Sequence, residues 1–334
     1  MQYLFISFHF FISIRPRISF VRFFEVLLFP FTLLVGLFLR EFTEVFPPHL
    51  KSSYDWFIKC NWLPVPFHYF QPIIKADMLP PNYEETENNL IGIDLDIENQ
   101  LLLLSNFNYN EELEAIPVDK RHELEPYYRN KNFRSGDAEI LYSMIRYYKP
   151  KKIIEVGSGF STMFMLSAID KNKRESNTES KLICIEPYER EWLEKLGISV
   201  LRKNVESLDL TFFKQLAEND ILFIDSSHTI RTQGDVVFEY LNIIPSLQKG
   251  VIVHCHDIFL PLEYPINYLL DYKYFWNEQY LLQALLAHTK RYRILLSLKF
   301  LSTHYPFDLQ KCCPIFRKEG EKEGPASFWF QVAE

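Results

Sequence analysis

The chain has 334 residues, of which 48% are hydrophobic and 24% are charged, and its formal net charge is −7 at pH 7. This length allows about two domains with a sizeable core. The acidic balance argues against general nucleic-acid binding, which requires a basic face. The five cysteines include no C-x-x-C pair, so neither a disulfide framework nor a thiolate zinc site is indicated. A cytoplasmic location is the simplest expectation.

The hydrophobic segment at residues 1–46 differs in composition from the rest of the chain. Its two apolar runs, Tyr3–Ile14 and Val26–Leu39, are separated by charged residues. Neither run reaches the roughly 18–20 residues that a bilayer span requires. The segment is compatible with an anchor at a membrane surface, with a single weak span, or with a helix packed on the domain or on a partner.

Residues 47–132 are rich in proline and aromatic residues, for example in the stretch WLPVPFHYFQPII. Prolines at this density favour extended, loop-rich structure over long helices. Helix-compatible patterns occur at Glu98–Leu104 and at Glu111–Ile116. We predict that this region forms a cap over the domain that follows.

Residues 133–334 alternate helical and strand-like patterns and are predicted to form the main domain. Helices are predicted at Gly136–Tyr148, Phe212–Leu216, Val236–Leu247 and Phe275–His288, and after Thr162. Strands are predicted at Ile153–Val156, Leu182–Ile185, Ile198–Leu201, Ile221–Ile224, Val251–Cys255, Tyr292–Leu298 and Ser327–Val332. This alternation predicts a doubly wound, Rossmann-like α/β fold, whose mostly parallel seven-stranded sheet carries helices on both faces.

The stretch IIEVGSGFST, Ile153–Thr162, reads as a buried strand, a glycine loop and the start of a helix. Gly157 and Gly159 allow a sharp turn and bring backbone N–H groups close to a ligand. Glu155 precedes the loop, where its charge would repel a dinucleotide pyrophosphate and favour a cation such as S-adenosylmethionine (SAM). The alternative is that Glu155 only caps the loop.

Further polar residues follow the predicted strands. Glu186, Asp225 and the pair His256-Asp257 each come at the end of one. Ligands of open α/β sheets bind beyond the carboxyl ends of the strands. We therefore expect these side chains to converge on one binding site.

With these residues in hand, the chain resembles the class I SAM-dependent methyltransferases. The stretch EVGSGFST is similar to their first motif, Glu186 to the acid that binds the ribose hydroxyls, and Asn204-Val205-Glu206 to the segment that contacts adenine. The cofactor-binding residues that this resemblance implies are Glu155, Gly157, Ser158, Gly159, Ser161, Glu186, Val205 and Glu206. The stretches GDAEILY, FIDSSH, HCHDIFLP and FWNEQYLLQA resemble a bacterial-type group of methyltransferases.

The Asp225-x-x-His228 pattern is similar to that of metal-dependent macrolide sugar O-methyltransferases. In those enzymes, an aspartate and a following acidic pair hold magnesium, and the histidine is the general base. The resemblance implies that His228, Asp225 and Asp257 are catalytic, and that Asp225, His256 and Asp257 are candidate ligands of Mg²⁺ or another divalent metal. Because the acidic pair is replaced by His256-Asp257, either metal assistance or His228 alone could activate the acceptor.

The sequence therefore predicts a SAM-dependent methyltransferase that methylates an oxygen of a small or carbohydrate-like acceptor, with His228 as base. A nucleotide (NAD)-dependent oxidoreductase on the same fold is one alternative. A non-catalytic, membrane-associated scaffold is another. No nucleic-acid partner is expected, and contact with a membrane surface is one of the three open interpretations of residues 1–46.

Overall fold

The structure is a computed structural model that describes residues 25–37, 51–63, 65, 67–188, 191–320 and 324–334. The described part of the chain falls into two compact units that divide between Ile73 and Ile74. The three segments 1–46, 47–132 and 133–334 stay a prediction. The predicted apolar run Tyr3–Ile14 lies outside the described residues.

The first unit contains two described helices, α1 at residues 25–37 and α2 at Lys51–Lys59. Helix α1 coincides with most of the predicted run Val26–Leu39, and its apolar side chains are exposed, Val26 to 74% and Leu34 to 67%. Among the helices that the structure describes, none combines the length and the apolarity needed to cross a membrane.

The second unit is built on one seven-stranded sheet. Its strands are β1 Lys152–Val156, β2 Lys181–Ile185, β3 Ser199–Leu201, β4 Ile221–Ile224, β5 Ile252–Cys255, β6 Tyr292–Ser297 and β7 Phe328–Val332. Their order in the sheet is β3-β2-β1-β4-β5-β7-β6, and β1 to β5 pair in parallel. Strand β7 lies antiparallel between β5 and β6, so the sheet is mixed at this edge. The predicted α/β fold class is confirmed.

The helices of the second unit follow the predicted alternation. They are α3 Ile97–Ser105, α4 Asn110–Ala115, α5 Asp137–Tyr148, α6 Phe160–Ser176, α7 Asp235–Phe238, α8 Ile244–Ser246, α9 Ile266–Leu270, α10 Glu278–Leu286, α11 Leu298–His304, α12 Pro306–Cys312 and α13 Pro314–Glu319. A π-helical turn, Glu239–Ile243, joins α7 to α8. Short 3₁₀ turns occur at Ala76–Met78, Glu194–Leu196, Val205–Ser207 and Leu210–Gln215.

Two helix predictions require correction. The predicted helix at Phe212–Leu216 lies mostly in the 3₁₀ turn Leu210–Gln215. The predicted helix Phe275–His288 begins only at Glu278, as α10. The N–H groups of Asn277 and Glu278 donate to the backbone oxygen of His228, which fixes the start of this helix and leaves the preceding aromatic residues outside it.

The hydrophobic core lies on both faces of the sheet because successive strand residues point to opposite sides. On one face, Ile153 and Phe223 pack in a cluster with residues of α5 and α6. On the other, Ile154 and Leu222 pack in a second cluster, which includes residues from α7 to α8 and from α10. A strand buried on both faces is continuously apolar, which is why runs such as ILFI at β4 could be recognised.

Part of the predicted cap region packs into the first of these clusters. Leu113 and Tyr128 are buried there together with Ile140 of α5. The buried guanidinium of Arg146 on α5 pairs with Glu112 on α4, its Nε lying 2.8 Å from Oε2. Residues 97–133 therefore belong to the body of the second unit.

Buried carboxylates on α5 anchor the C-terminal part of the chain. Glu139 accepts hydrogen bonds from the backbone N–H groups of Ile315 and Phe316 at 2.7 and 3.0 Å. Asp137 accepts from those of Ala326 and Ser327, at 2.8 Å for Ser327. The second contact fixes the start of β7 beside the carboxyl end of β5, where the polar residues converge.

Candidate active site

The glycine loop begins where β1 ends, between the ends of β2 and β4. The N–H of Gly157 donates to the backbone oxygen of Ile185 at 3.0 Å, and the N–H of Asp225 donates to that of Val156 at 2.9 Å. Gly157 has a φ of +77°, and an added Cβ would lie 1.7 Å from the backbone oxygen of Asp225. Only glycine fits this position, because the two loops touch through their backbones.

The side chain of Glu155 is turned into the core. It is fully buried and accepts hydrogen bonds from the hydroxyls of Ser161 at 2.6 Å and Thr162 at 2.7 Å, and from the thiol of Cys184 at 3.1 Å. Burial raises its pKa to about 7, although these hydrogen bonds lower it. Glu155 thus fixes the first turn of α6 and lines neither of the two cavities described below.

We expect Glu155 to make the stability of the protein depend on pH. Its folded pKa of about 7 lies above its ordinary value of 4.5, so the folded state binds the proton more tightly. The free energy of unfolding should therefore fall by about 3 kcal/mol as the pH rises from below 4.5 to above 7. Urea unfolding of the Glu155→Gln variant at pH 5 and pH 8 should lack this decrease relative to wild type.

The exposed Glu179 provides the matched control, since Glu179→Gln changes the same charge where it is in water. Its pH dependence should follow that of wild type. If the curves of Glu155→Gln and wild type also run parallel, the ionisation of Glu155 does not differ between the folded and unfolded states.

A first cavity of about 260 Å³, here called the Glu186 cavity, opens beside the glycine loop. Glu186 is largely buried, and its carboxylate accepts hydrogen bonds from the N–H groups of Ser158 at 3.1 Å and Tyr188 at 2.9 Å. The 3₁₀ turn with Val205 and Glu206 forms another part of the lining. The residues that line this cavity are Val156, Gly157, Ile185, Glu186, Pro187, Tyr188, Asn204, Val205, Glu206, Asp225, Ser226, Ser227, Arg231 and Asp235.

Three of the other predicted cofactor residues, Ser158, Gly159 and Ser161, belong to the loop and the first turn of α6. The N–H of Gly159 donates to the hydroxyl of Thr162 at 3.1 Å, and Ser161 binds Glu155. None of the three lines the Glu186 cavity. The geometry therefore gives them a structural part in shaping the loop, and their contact with a cofactor stays a prediction.

A second cavity of about 420 Å³, the His228 cavity, adjoins the first. Its lining residues are Lys131, Asn132, Arg134, Asp137, Asp225, Ser226, Ser227, His228, His256, Asp257, Phe259, Tyr268, Tyr274, Trp276, Gly324 and Ala326. The segment Asp225–Ser227 lines both cavities, so a ligand in one would lie next to a ligand in the other.

Asp225, His228 and Asp257 form a compact cluster in the His228 cavity. The Nε2 atom of His228 lies 3.2 Å from Oδ1 of Asp225 and 3.7 Å from Oδ2 of Asp257. One ligand atom from each of the three residues lies within 4.8 Å of the others, a spacing that could hold a metal ion. Both His228 (φ 57°) and Asp257 (φ 53°) adopt the left-handed backbone region, which histidine and aspartate enter more often than most other residues.

The ring of His228 is held from its other side by Glu278, at the start of α10. Nδ1 of His228 lies 2.8 Å from Oε2 of the fully buried Glu278, whose Oε1 accepts from the hydroxyl of Tyr240 at 2.7 Å. Tyr240 belongs to the π-helical turn. Burial alone would lower the pKa of His228, but the hydrogen bonds to Asp225 and Glu278 and the charge of Asp257 raise it well above 6.5.

His256 lies beside this cluster. Its Nε2 is 3.9 Å from Oδ1 of Asp257, and its Nδ1 is 3.4 Å from the hydroxyl of Ser327. His228, and not His256, completes the trio whose ligand atoms lie close together. The predicted metal contact of His256 stays a prediction that this geometry does not favour.

The neighbouring His254 is buried in the core, where its ring stacks on Phe223 with centroids 3.9 Å apart. Burial lowers its pKa well below 6.5. His254 is therefore a core residue, and it lines neither cavity.

Glu278 is the site residue that the sequence did not assign. The sequence signal was an acidic residue within the bulky stretch FWNEQYLL, for which solvent exposure and a role in the site were equally compatible. The tertiary structure places Glu278 in the site, because the backbone of the His228 loop binds to the start of α10. The amide oxygen of Asn277 also accepts from the N–H of Ile230, which strengthens this contact.

The fold is of the α/β methyltransferase type, and comparison with known proteins agrees with it. Residues 154–258 match the family model of a methyltransferase domain. An uncharacterized protein of Archaeoglobus fulgidus is 34% identical over 184 residues, which cover 50% of this chain and 81% of the archaeal protein. The chain therefore belongs to the same family as that protein, within the class I SAM-dependent methyltransferases.

Solved structures give distant likenesses. An O-methyltransferase from Bacillus cereus, in complex with SAH, is 12% identical with a TM-score of 0.35, covering 70% of this chain and 91% of that one. TomG from Streptomyces achromogenes, an O-methyltransferase involved in tomaymycin synthesis and in complex with SAM, is 13% identical with a TM-score of 0.30, covering 70% and 90%. Likenesses at this level say nothing about the acceptor of this chain.

Proposed function

We propose that this protein transfers the methyl group of SAM to a hydroxyl oxygen of a small acceptor. The observation that carries the proposal is the pair of adjoining cavities, which share Asp225, Ser226 and Ser227. Methyl transfer needs donor and acceptor in contact and in line. In this proposal, SAM occupies the Glu186 cavity and the acceptor occupies the His228 cavity.

The lining of the Glu186 cavity suits the nucleoside part of the donor. A carboxylate has about four acceptor positions, and the two backbone N–H groups bound to Glu186 leave others for the ribose hydroxyls. Val205 and Glu206 are proposed to contact the adenine. The sulfonium charge is compensated by carboxylates that line the cavity, among them Asp225. Glu155 contributes indirectly, by fixing the turn that follows the glycine loop.

The cluster in the His228 cavity suits activation of an alcohol. The acceptor oxygen attacks the methyl carbon, the carbon–sulfur bond breaks, and its electron pair remains on sulfur as the neutral thioether. The neutral ring of His228 accepts the hydroxyl proton at Nε2, while Glu278 holds Nδ1 and thereby the ring orientation and tautomer. Because the carboxylates around His228 raise its pKa, this step requires a pH at which the ring has lost its proton. Glu278 and Tyr240 are positioning residues in this scheme.

Asp225 and Asp257 also fit a divalent cation. They offer carboxylate oxygens within 4.8 Å of one another, and oxygen ligands are those that Mg²⁺ prefers. A bound Mg²⁺ or Mn²⁺ would supply Lewis acidity that lowers the pKa of the acceptor hydroxyl. We propose that these two aspartates hold the metal and that His228 keeps the role of base.

Titration calorimetry with the full chain tests the proposed donor. We expect SAM to bind at one site per chain, and NAD to show no binding because the carboxylates of the Glu186 cavity repel its pyrophosphate. Binding of NAD without binding of SAM would contradict the proposal and favour the alternative of an NAD-dependent oxidoreductase.

Contact of the first unit with a membrane surface is a further part of the proposal. A helix that is apolar on all sides is suited to a non-aqueous environment. On α1, the side chains of Leu27, Phe29 and Leu34 each expose more than half of their surface. The full chain should sediment with lipid vesicles, and the double variant Leu27→Glu, Leu34→Glu should not. Equal sedimentation of the two proteins would count against this contact.

A further inference from the structure

Tyr268, Tyr274 and Trp276 line the His228 cavity next to the reactive cluster and are here called the aromatic wall. The rings of Tyr274 and Trp276 are stacked, with centroids 5.1 Å apart and an interplanar angle of 10°. The ring of Trp276 also lies 4.4 Å from that of His228, and Tyr268 packs on it edge to face at 5.2 Å. A ring that packs on this wall would bring its substituents close to Nε2 of His228.

Most of the remaining lining is polar. Serine hydroxyls, an asparagine and three carboxylates share the cavity with the aromatic wall. A sugar ring matches this combination, since its C–H face packs on aromatic rings and its rim of hydroxyls requires polar partners. A purely aromatic ligand would leave the polar lining unpaired, which costs free energy.

Two cations, Lys131 and Arg134, line the same cavity. The ammonium group of Lys131 forms no ion pair or hydrogen bond with the residues that the structure describes. An anionic substituent would be drawn to this ammonium, and a hydroxyl to the cluster of Asp225, His228 and Asp257. Lys131 and this cluster therefore orient a ligand that carries both an acidic group and a hydroxyl.

We infer that the acceptor is an acidic sugar, whose ring packs on Tyr274 and Trp276 and whose anionic group is bound by Lys131 and Arg134. The inference rests on the proposed function and specifies the substrate class of that site. A sugar carboxylate and a sugar phosphate share the chemistry that Lys131 would recognise. Specificity for the acidic group would come from Lys131 and Arg134, and affinity for the sugar ring from the aromatic wall.

The test is titration calorimetry on the full chain saturated with S-adenosylhomocysteine. The probes are methyl glucuronoside, glucose 1-phosphate, neutral methyl glucoside and 4-hydroxybenzoate. We expect at least one of the two sugar acids to bind, with the neutral glucoside bound at least about tenfold more weakly. The stronger of the two acids identifies the anionic group.

Variants separate the two parts of the site. Lys131→Ala should weaken binding of the sugar acid at least about tenfold and leave the neutral glucoside and S-adenosylhomocysteine unchanged. Lys249→Ala is the matched control, because Lys249 is an exposed lysine that precedes β5 at the opposite end of the strand. Trp276→Ala should weaken the binding of every sugar probe, whereas Trp276→Phe, which keeps an aromatic ring at this position, should retain most of the affinity.

The inference is overturned if neither sugar acid binds, if the neutral glucoside binds as tightly as the acids, or if 4-hydroxybenzoate binds more tightly than both. It is also overturned if Lys131→Ala and Lys249→Ala behave alike. A failure of the proposed function has a different signature, since S-adenosylhomocysteine itself would then not bind.

Discussion

The Gly157→Ala variant should lose SAM binding, with an affinity at least about 100-fold lower than that of wild type, or about 3 kcal/mol. The added Cβ would lie 1.7 Å from the backbone oxygen of Asp225, so the loops after β1 and β4 must separate. Both loops line the Glu186 cavity, and Asp225 also belongs to the reactive cluster. Titration calorimetry with SAM measures the effect.

Gly197→Ala is the control that separates the steric clash at Gly157 from the cost of a left-handed alanine. Gly197 has nearly the same backbone conformation, with a φ of +70°, but nothing lies within 4 Å of an added Cβ. This variant should lose only the roughly 1–2 kcal/mol of stability that a left-handed alanine costs, with normal SAM affinity. If both variants bind SAM equally well, contact between the two loops is not required for the donor site.

The Asp257→Asn variant should bind SAM normally but lose metal binding and methyl transfer. Asp257 lines only the His228 cavity, so the donor site is untouched. Asparagine tolerates the φ of 53° at this position, so the variant removes the charge with little change of shape. We expect Mn²⁺ affinity to fall at least about 100-fold. The rate of transfer to the best sugar acid should fall by roughly 100- to 10,000-fold.

Asp96→Asn makes the same substitution at another aspartate with positive φ, 51°, which precedes α3 and lines neither cavity. It should leave Mn²⁺ binding and transfer unchanged. Wild-type activity should fall in excess chelator and return when Mg²⁺ or Mn²⁺ is added, whereas the residual activity of Asp257→Asn should not change on either treatment. Full wild-type activity in chelator would contradict the proposed role of the metal and leave His228 as the sole activator.

The order of elements in the main domain could be read from the chain because each strand is a short apolar run bounded by turns. Each of the seven predicted strands overlaps an observed one, and the glycine loop follows β1 as expected. The orientation of β7 could not be predicted from its run SFWFQV, since an apolar strand looks the same in either direction. Its antiparallel place depends on its pairing with β5 and β6.

The sequence by itself determined that acidic residues and histidines follow the strands. Because parallel strands bring their carboxyl ends to one edge of the sheet, it also indicated that these residues lie at the same edge. It did not determine what each side chain faces. Only the tertiary structure turned Glu155 into the core, brought His228 rather than His256 between two aspartates, and supplied Glu278 from a helix 50 residues further along. These contacts depend on how separate loops pack against one another, and no local pattern encodes that packing.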